Sequence, residues 1–407
     1  DFVTYGNINT SLGSLVADLN MKLPEGKTPT YSGKISSAGF NLGQFINNKD
    51  LGTITLNGNV IGSGFTLKDL KASFRGDVKQ LYFSGYNYSN IVVDGTFDKK
   101  LFSGHGSIDD PNLKVDNFNG SIDFAGKAPS FNFDALLKKS NLKKIGLTQD
   151  EFSLTGKLNL DFTGSNIDNF SGTARINDAI FIHDSTRLSF DSLLLKSYAT
   201  DVVKHLSFET NEMEGHLDGE FNIVQLPDAF SVFLNRYYPA YIKKPKSNNI
   251  SNENFSFYVK TKTVDEFVQL LDKRLKGFND AEFRGNINLA KNELNVSGNI
   301  PYFEYDKKTF NNVVLESHGN LDTLTTKITT GDIGINDSLH FPGTNLLIKS
   351  HNDVSTVQIK TSASKTLNEA ELNATVTTLT DGVRIHFSPS SFIINDKKWE
   401  LENKNQV

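Results

Sequence analysis

The sequence predicts a mainly β protein: a long antiparallel β-sheet curved lengthwise into an open hydrophobic groove, β-taco-like, with a few short helices. Three observations predict it: period-two alternation over most of the chain, a short recurrent block, and short polar turns. Leu154, Gly156, Leu158, Leu160, Phe162 and Gly164 alternate with Thr, Lys, Asn, Asp and Thr. Leu217, Gly219, Phe221 and Ile223 follow the same rule, as do Phe283, Gly285, Ile287 and Leu289, then Leu294, Val296, Gly298 and Ile300. Alternation of this kind marks a sheet with one apolar and one polar face.

The recurrent block reads aromatic or Thr, polar, Asn/Ser, three apolar residues, polar, small. It occurs as Tyr88-Ser-Asn-Ile-Val-Val-Asp-Gly95, Phe190-Asp-Ser-Leu-Leu-Leu-Lys-Ser197 and Phe310-Asn-Asn-Val-Val-Leu-Glu-Ser317. Thr344-Asn-Leu-Leu-Ile-Lys-Ser350 is a copy one residue shorter at its front. Repeats with no catalytic cluster between them point to an extended architecture that works through a surface. The triplets Ile91-Val92-Val93, Leu193-Leu194-Leu195 and Val313-Val314-Leu315 are apolar on both faces, which predicts that their outer side is covered.

Taken in order, residues 1–225 read as a first groove segment of strands. A second unit recurs there, a glycine two residues from an apolar neighbour, as in Phe102-Ser-Gly-His-Gly-Ser-Ile108 and Phe118-Asn-Gly-Ser-Ile122. One side chain is thereby missing from the apolar face, which marks a bend or a trough. Asp98-Lys-Lys100, Asp109-Asp-Pro-Asn112, Asp306-Lys-Lys308 and Asn395-Asp-Lys-Lys398 have hairpin-turn chemistry. Connections this short cannot cross between parallel strands, so the meander is antiparallel. A short helix is predicted over Leu136 to Ile145, ending at Gly146.

Residues 226–280 read as a helical segment. Asp228 to Tyr241 carries Phe230, Phe233, Leu234, Tyr237 and Tyr238. A Lys/Pro/Ser/Asn linker follows from Lys243 to Asn249. Thr263 and Glu266 have capping-box spacing before Phe267, Val268, Leu271, Leu275 and Phe278 at helical intervals. Lys273, Arg274 and Lys276 suit that helix's negative end. Such helices would cover an end of the sheet or plug its open face. Residues 281–407 read as a second groove segment of strands.

Composition narrows the function classes. The 407 residues are 37% hydrophobic and 22% charged, with a formal net charge of −5. No basic stripe is present for nucleic acid. Cysteine is absent, which excludes disulfides, zinc–thiolate sites and thiol chemistry. No apolar run approaches the ~20 residues that span a bilayer. The chain begins at Asp1 without an initiator Met, and reads as an internal piece of a longer protein whose anchor lies outside it. The eight histidines show no metal-ligand spacing and read as solvent-face strand residues. Asp109, Asp110 and Asp161 could pair as the carboxylates of a carbohydrate-active β-solenoid enzyme, but Asp-Asp-Pro-Asn is turn chemistry. No P-loop, G-x-S-x-G or G-x-G-x-x-G motif occurs, so no enzyme activity and no cofactor beyond bound phospholipid is expected.

The stretch Tyr82-Phe-Ser-Gly-Tyr-Asn-Tyr-Ser-Asn-Ile-Val-Val-Asp-Gly-Thr-Phe97, followed by the glycine strands at Phe102 and Phe118, Phe131-Asn-Phe-Asp-Ala135 and Leu154 to Gly164, resembles the TamB proteins of diderm bacteria, within the AsmA-like group. The likeness is best from about Phe65 to Ile182 and rests on the order of the blocks. The resemblance implies a periplasmic, inner-membrane-anchored bridge towards the outer membrane. It implies phospholipid as cargo and an outer-membrane β-barrel as partner in a translocation and assembly module. It also leaves a second reading, a scaffold for outer-membrane protein assembly by strand addition. A sheet of about 25 strands, at ~4.8 Å per strand, would extend about 120 Å. The candidate groove-lining residues are Leu154, Leu158, Leu160, Phe162, Ile176, Leu217, Phe221, Ile223, Phe283, Ile287, Leu289, Leu294 and Val296.

Overall fold

A computed structural model describes residues 2–66, 68–148, 151–183, 186–200, 203–245, 253–363 and 367–401. The chain packs as two compact units, Asp1–Leu195 and Lys196–Val407. Residues 226–280, expected as a helical segment, fall within the second unit, and linker residues 246–249 lie outside the described residues.

The first unit is an antiparallel meander. Its elements are β1 (Phe2–Thr10), β2 (Gly13–Lys22), β3 (Thr30–Ala38), β4 (Phe40–Asn41), α1 (Leu42–Ile46), β5 (Leu51–Ser63), β6 (Lys71–Phe83), β7 (Tyr86–Asp98), β8 (Leu101–Asp110), β9 (Leu113–Asp123), β10 (Ser130–Ser140), β11 (Phe152–Thr163) and β12 (Ser171–His183). Each strand pairs with its successor, except that β3 and β4 both pair with β5. β13 (Thr186–Ala199) runs across the boundary.

The second unit contains β14 (Lys204–Thr210), β15 (Met213–Glu220), α2 (Leu226–Leu234), β16 (Asn254–Thr261), α3 (Asp265–Leu271), β17 (Leu275–Gly277), β18 (Glu282–Asn288), β19 (Glu293–Tyr305), β20 (Lys308–Gly319), β21 (Leu324–Thr329), β22 (Asp332–Asn336), β23 (Leu339–Pro342), β24 (Asn345–His351), β25 (Val354–Thr361), β26 (Leu367–Thr378), β27 (Val383–Ile394) and β28 (Lys397–Leu401). Pairing is again antiparallel throughout, with β17 and β18 sharing β19 and with β21 and β22 sharing β20. The sheet is long and does not close. Two separate compact units of this combined mass would expose roughly 19,000 Å², whereas the chain exposes 24185 Å². Large apolar side chains such as Ile61, Val92 and Phe97 are among those left a third or more exposed.

The predicted hairpin turns all form. Asp306-Lys307 and Asn395-Asp396 each place two successive residues at positive φ (50° and 64°; 48° and 64°). That is the type I′ geometry whose twist matches the flanking strands.

The recurrent block has a structural meaning that its composition alone does not display. In β7 the apolar face carries Tyr86 and Tyr88, then Ile91, Val93 and Gly95; Ser89 and Asn90 intervene as a pair. Asn90 is left-handed, φ 52°, and β6 doubles its exposed positions at the same level, Lys79–Gln80, so both strands change phase together and their register continues unshifted. β20 repeats this with Asn312 at φ 50°, and the same break occurs at Asn117 in β9 (φ 54°) and Asp178 in β12 (φ 51°). Asn and Asp tolerate this region where β-branched residues do not. The shorter copy in β24 lacks the extra residue, and Thr344, Leu346, Ile348 and Ser350 run on in phase.

In the first unit these breaks line up. Val78, Ile91, Ile108, Val115, Leu137 and Gly156 are successive register partners across β6 to β11. Lys79, Asn90, Asn117 and Asp178 lie within two residues of that row or of its continuation into β12.

Three expectations fail. The outer side of two triplets is uncovered: Val92 is 50% and Val314 41% exposed. The helix over Leu136–Ile145 is not formed; Leu136 and Leu137 pair with both β9 and β11, and turns follow to Gly146 at φ 81°. Two-sided strand pairing of an apolar run outweighs its helical spacing. The helix after Thr263 ends at Leu271, has Val264 as its N-cap and lacks a side-chain cap bond. Leu275 leaves it for β17, because pairing with β19 and the Arg274–Asp272 ion pair (2.6 Å) turn the chain.

Candidate functional site

The apolar side of β7 to β12 carries a run of phenylalanine rings. Centroids step from Phe97 to Phe102 (5.0 Å), Phe118 (6.0 Å) and Phe133 (4.9 Å). The run continues through Phe131 (6.5 Å), Phe162 (4.8 Å) and Phe170 (5.1 Å). These tilted and offset pairs follow the ring quadrupole. Phe170 is buried, but Phe97 is 36% exposed, and the rings between them are half-buried. Phenylalanines of a closed core would be buried throughout.

Five of the expected lining residues join this wall. Leu154, Leu158, Leu160 and Phe162 lie on one side of β11. Leu158 faces Ile176 on β12 and Ala135 on β10, Leu160 faces Phe133, and Phe162 faces Phe131. Phe97, Phe102, Phe118, Phe131 and Phe133 belong to the same wall and were not singled out as lining residues. Phe97, Phe102 and Phe118 carry their signal as phenylalanine two residues from glycine, and Phe131 and Phe133 as an apolar–polar–apolar alternation.

Those glycines do not leave a vacant trough. Among the described residues, phenylalanine and glycine stand directly opposite one another in nine cross-strand pairs: 74–95, 118–106, 133–120, 162–172, 208–215, 255–219, 257–285, 283–298 and 303–277. A Cβ on Gly298 would lie 3.0 Å from the Phe283 ring, and one on Gly285 2.8 Å from the Phe257 ring. At Gly215, Gly285 and Gly298 the opposite ring lies in the space the glycine leaves, and at Gly120, Gly172 and Gly219 the backbone and Cβ of the opposite phenylalanine do, which pins register as well as bending the strand.

In the second unit the expected residues sit in a packed core. Ile287 and Leu294 are buried with Phe233, Tyr237, Phe255 and Leu324, and Leu217, Phe221, Leu289 and Val296 pack around them. The cover is α2 with the turn after it. Tyr237 Oη donates to the Asn320 carbonyl, Tyr238 Oη meets Ser350 Oγ at 2.7 Å, and the Ala240 amide donates to Asp353 Oδ1 at 3.0 Å. The Asp353 amide donates back to the Tyr237 carbonyl at 2.7 Å. Phe283 belongs to a separate cluster with Ala281, Ile300 and Val313. Ile223 lies in a 3₁₀ turn, Ile223–Gln225, rather than on a strand, because β15 ends at Glu220 and Asn222 caps the turn.

The carboxylates do not converge. Asp109 and Asp110 point to opposite faces of β8, and Asp109 is exposed and paired with Lys114 at 2.8 Å. Asp110 is buried and accepts from Tyr86 Oη (2.6 Å), Ser89 Oγ (2.7 Å), the Ser89 amide (3.0 Å) and the Asn112 amide (2.8 Å). Burial pushes its pKa up, but the hydrogen bonds from Tyr86, Asn112 and Ser89 outweigh it and hold the carboxyl below the usual aspartate range. It is a structural clasp between β7 and the β8–β9 turn.

Histidines mostly face solvent, but His205 Nδ1 pairs with Asp218 and His340 Nδ1 with Asp332 at 2.9 Å. Comparison with protein-family models, curated proteins and solved structures finds no match for this chain.

Proposed function

We propose that the phenylalanine wall of the first unit holds phospholipid acyl chains, as part of a periplasmic bridge that supports outer-membrane biogenesis in a diderm bacterium. The observation that carries the reading is the unbroken run of partly exposed rings from Phe97 to Phe162 along one sheet face. Exposed apolar area of this extent marks a ligand or partner surface. The register shifts beside Asn117 and Asp178, in line with the phase breaks at Lys79 and Asn90, support a lengthwise crease, since bulges bend strands and increase their twist. The apolar side would then curl around its occupant. An acyl chain of about sixteen carbons, half covered by such a wall, gains about 6 kcal/mol at ~0.8 kcal/mol per buried CH₂. That affinity holds a lipid and still releases it. Head groups stay in water, so no polar site is required on this face. The envelope location, the membrane anchor and a β-barrel partner rest on the family resemblance. In the second unit α2 covers the corresponding face, so the reading assigns lipid contact to the first unit.

The test is a photo-crosslinking amino acid placed singly at 118 and 133, on the apolar face, and at 119 and 132, on the polar face. The chain is incubated with phosphatidylethanolamine–phosphatidylglycerol vesicles, irradiated and analysed by mass spectrometry. Lipid adducts at 118 and 133 but not at 119 and 132 are expected. Equal labelling of both faces, or none, sinks the reading. Adducts to outer-membrane protein strands instead of lipid would assign the face to assembly scaffolding.

A further inference from the structure

The second unit carries a distinct feature on the polar side of its sheet, opposite α2. A cavity of about 890 Å³ opens over β15, β16 and β18 to β21. Two rows of side chains cross it. Arg284, Ser297, Glu316 and Lys327 are successive register partners, as are Asn286, Asn295 and His318 in the neighbouring row. Tyr258 stands between Arg284 and His216, and the His216 ring stacks on it with centroids 5.3 Å apart and planes at 28°.

The charges cancel. Arg284 faces Glu282 at 3.5 Å and Lys327 faces Glu316 at 3.8 Å, distances that leave the two cations hydrogen-bonding capacity, while Glu282 is also held by Lys260 at 3.3 Å from outside the trough. Asn295 Nδ2 donates to Asn286 Oδ1 at 3.2 Å, and Asn295 Oδ1 meets His318 Nδ1. Among the described residues, Asn286 Nδ2 and His318 Nε2 have no protein partner. The lining thus offers planar donors and acceptors in alternation, no net formal charge, and an aromatic plate at one side.

We infer that this trough binds an uncharged oligosaccharide, laid across the strands. Sugar hydroxyls both donate and accept, which matches amide, guanidinium, imidazole and carboxylate edges together. The C–H faces of a pyranose suit the His216–Tyr258 plate. An anionic polymer would call for an excess of cations, and an acyl chain for the opposite face. Strands recur every ~4.8 Å, close to the length of one pyranose residue, so successive sugars meet successive strands. The inference does not depend on lipid binding by the first unit.

Isothermal titration of the full chain with chitohexaose, cellohexaose and maltohexaose tests it. At least one should bind, and Tyr258→Ala and Arg284→Ala should each weaken it tenfold or more with unchanged circular dichroism. Arg284 is surface-exposed, so its truncation leaves the fold intact even if Tyr258→Ala does not. Phe118→Asp, in the other unit, should leave binding unchanged. No binding of any of the three up to roughly 10 mM, a free energy below about 3 kcal/mol, overturns the inference. So does binding that neither substitution affects, or preference for a sulfated oligosaccharide over its neutral parent.

Discussion

Deleting Asn90 tests whether the recurrent block is a phase-shifting device. Without it, β7 cannot keep both halves of its apolar face inward. The half from Ile91 to Asp98 pairs with β8 along its whole length as well as with β6, so it holds. The segment Tyr86–Ser89 then turns over. Asp110 loses Tyr86 Oη, Ser89 Oγ and the Ser89 amide, three of the four donors just described. At about 1.5 kcal/mol for each hydrogen bond to a charged group, that is about 4–5 kcal/mol. Two half-buried tyrosine rings leaving the apolar face add about 1 kcal/mol each. After partial relaxation the cost is about 5 kcal/mol, comparable with the whole stability of many domains. Hydrogen exchange read by mass spectrometry over residues 78–118 should lose more than three decades of protection, at about 1.4 kcal/mol per decade. Asn90→Gly should cost no more than about 1 kcal/mol, because glycine takes the same φ and only the exposed bond from Asn90 Nδ2 to the Asp109 carbonyl (3.1 Å) is lost, whereas Asn90→Val should cost about 1–2 kcal/mol more. Protection within tenfold of the parent chain after the deletion, or equal behaviour of the glycine and valine variants, would refute the argument.

Three further outcomes are expected. The stability that Asp110 supplies is present above the unfolded aspartate value of about 3.9 and is lost as pH falls through its lower folded value; Asp110→Asn should flatten this acid limb of a urea-denaturation series while lowering stability at pH 7. Gly298→Val should destabilise by about 2 kcal/mol or more through the Phe283 ring, and Phe283→Ala in the same chain should recover part of it, as a double-mutant cycle would record. Tyr237→Ala should cost about 3–5 kcal/mol and expose residues 226–242 to limited proteolysis, while Tyr237→Phe, which loses only the bond to Asn320, should cost about 1 kcal/mol.

Much of the architecture was legible along the chain. Strand period, glycine placement and the Asp-Lys and Asn-Asp turns act over two to six residues, so the antiparallel meander could be read before any contact was known. That Leu154, Leu158, Leu160, Phe162 and Ile176 share one face was legible for the same reason. Leu136-Leu137 was misread because an apolar pair carries no period of its own, and its partners on β9 and β11 come from strands on either side. The phase break at Asn90 is not legible, because a doubled polar position looks like ordinary variation until β6 is seen to change phase at the same level.

Alternation, being local, tells which residues share a face; it does not tell what lies over that face. Leu160 and Ile287 have the same sequence environment, an apolar position two residues from the next in a polar–apolar strand. Yet Leu160 sits in a half-open aromatic wall, and Ile287 is fully buried beneath α2. The difference comes from Tyr237, Tyr238 and Ala240 bonding to residues 83 to 113 positions away. Contacts at such separation are set by the assembled sheet, and no short-range pattern encodes them.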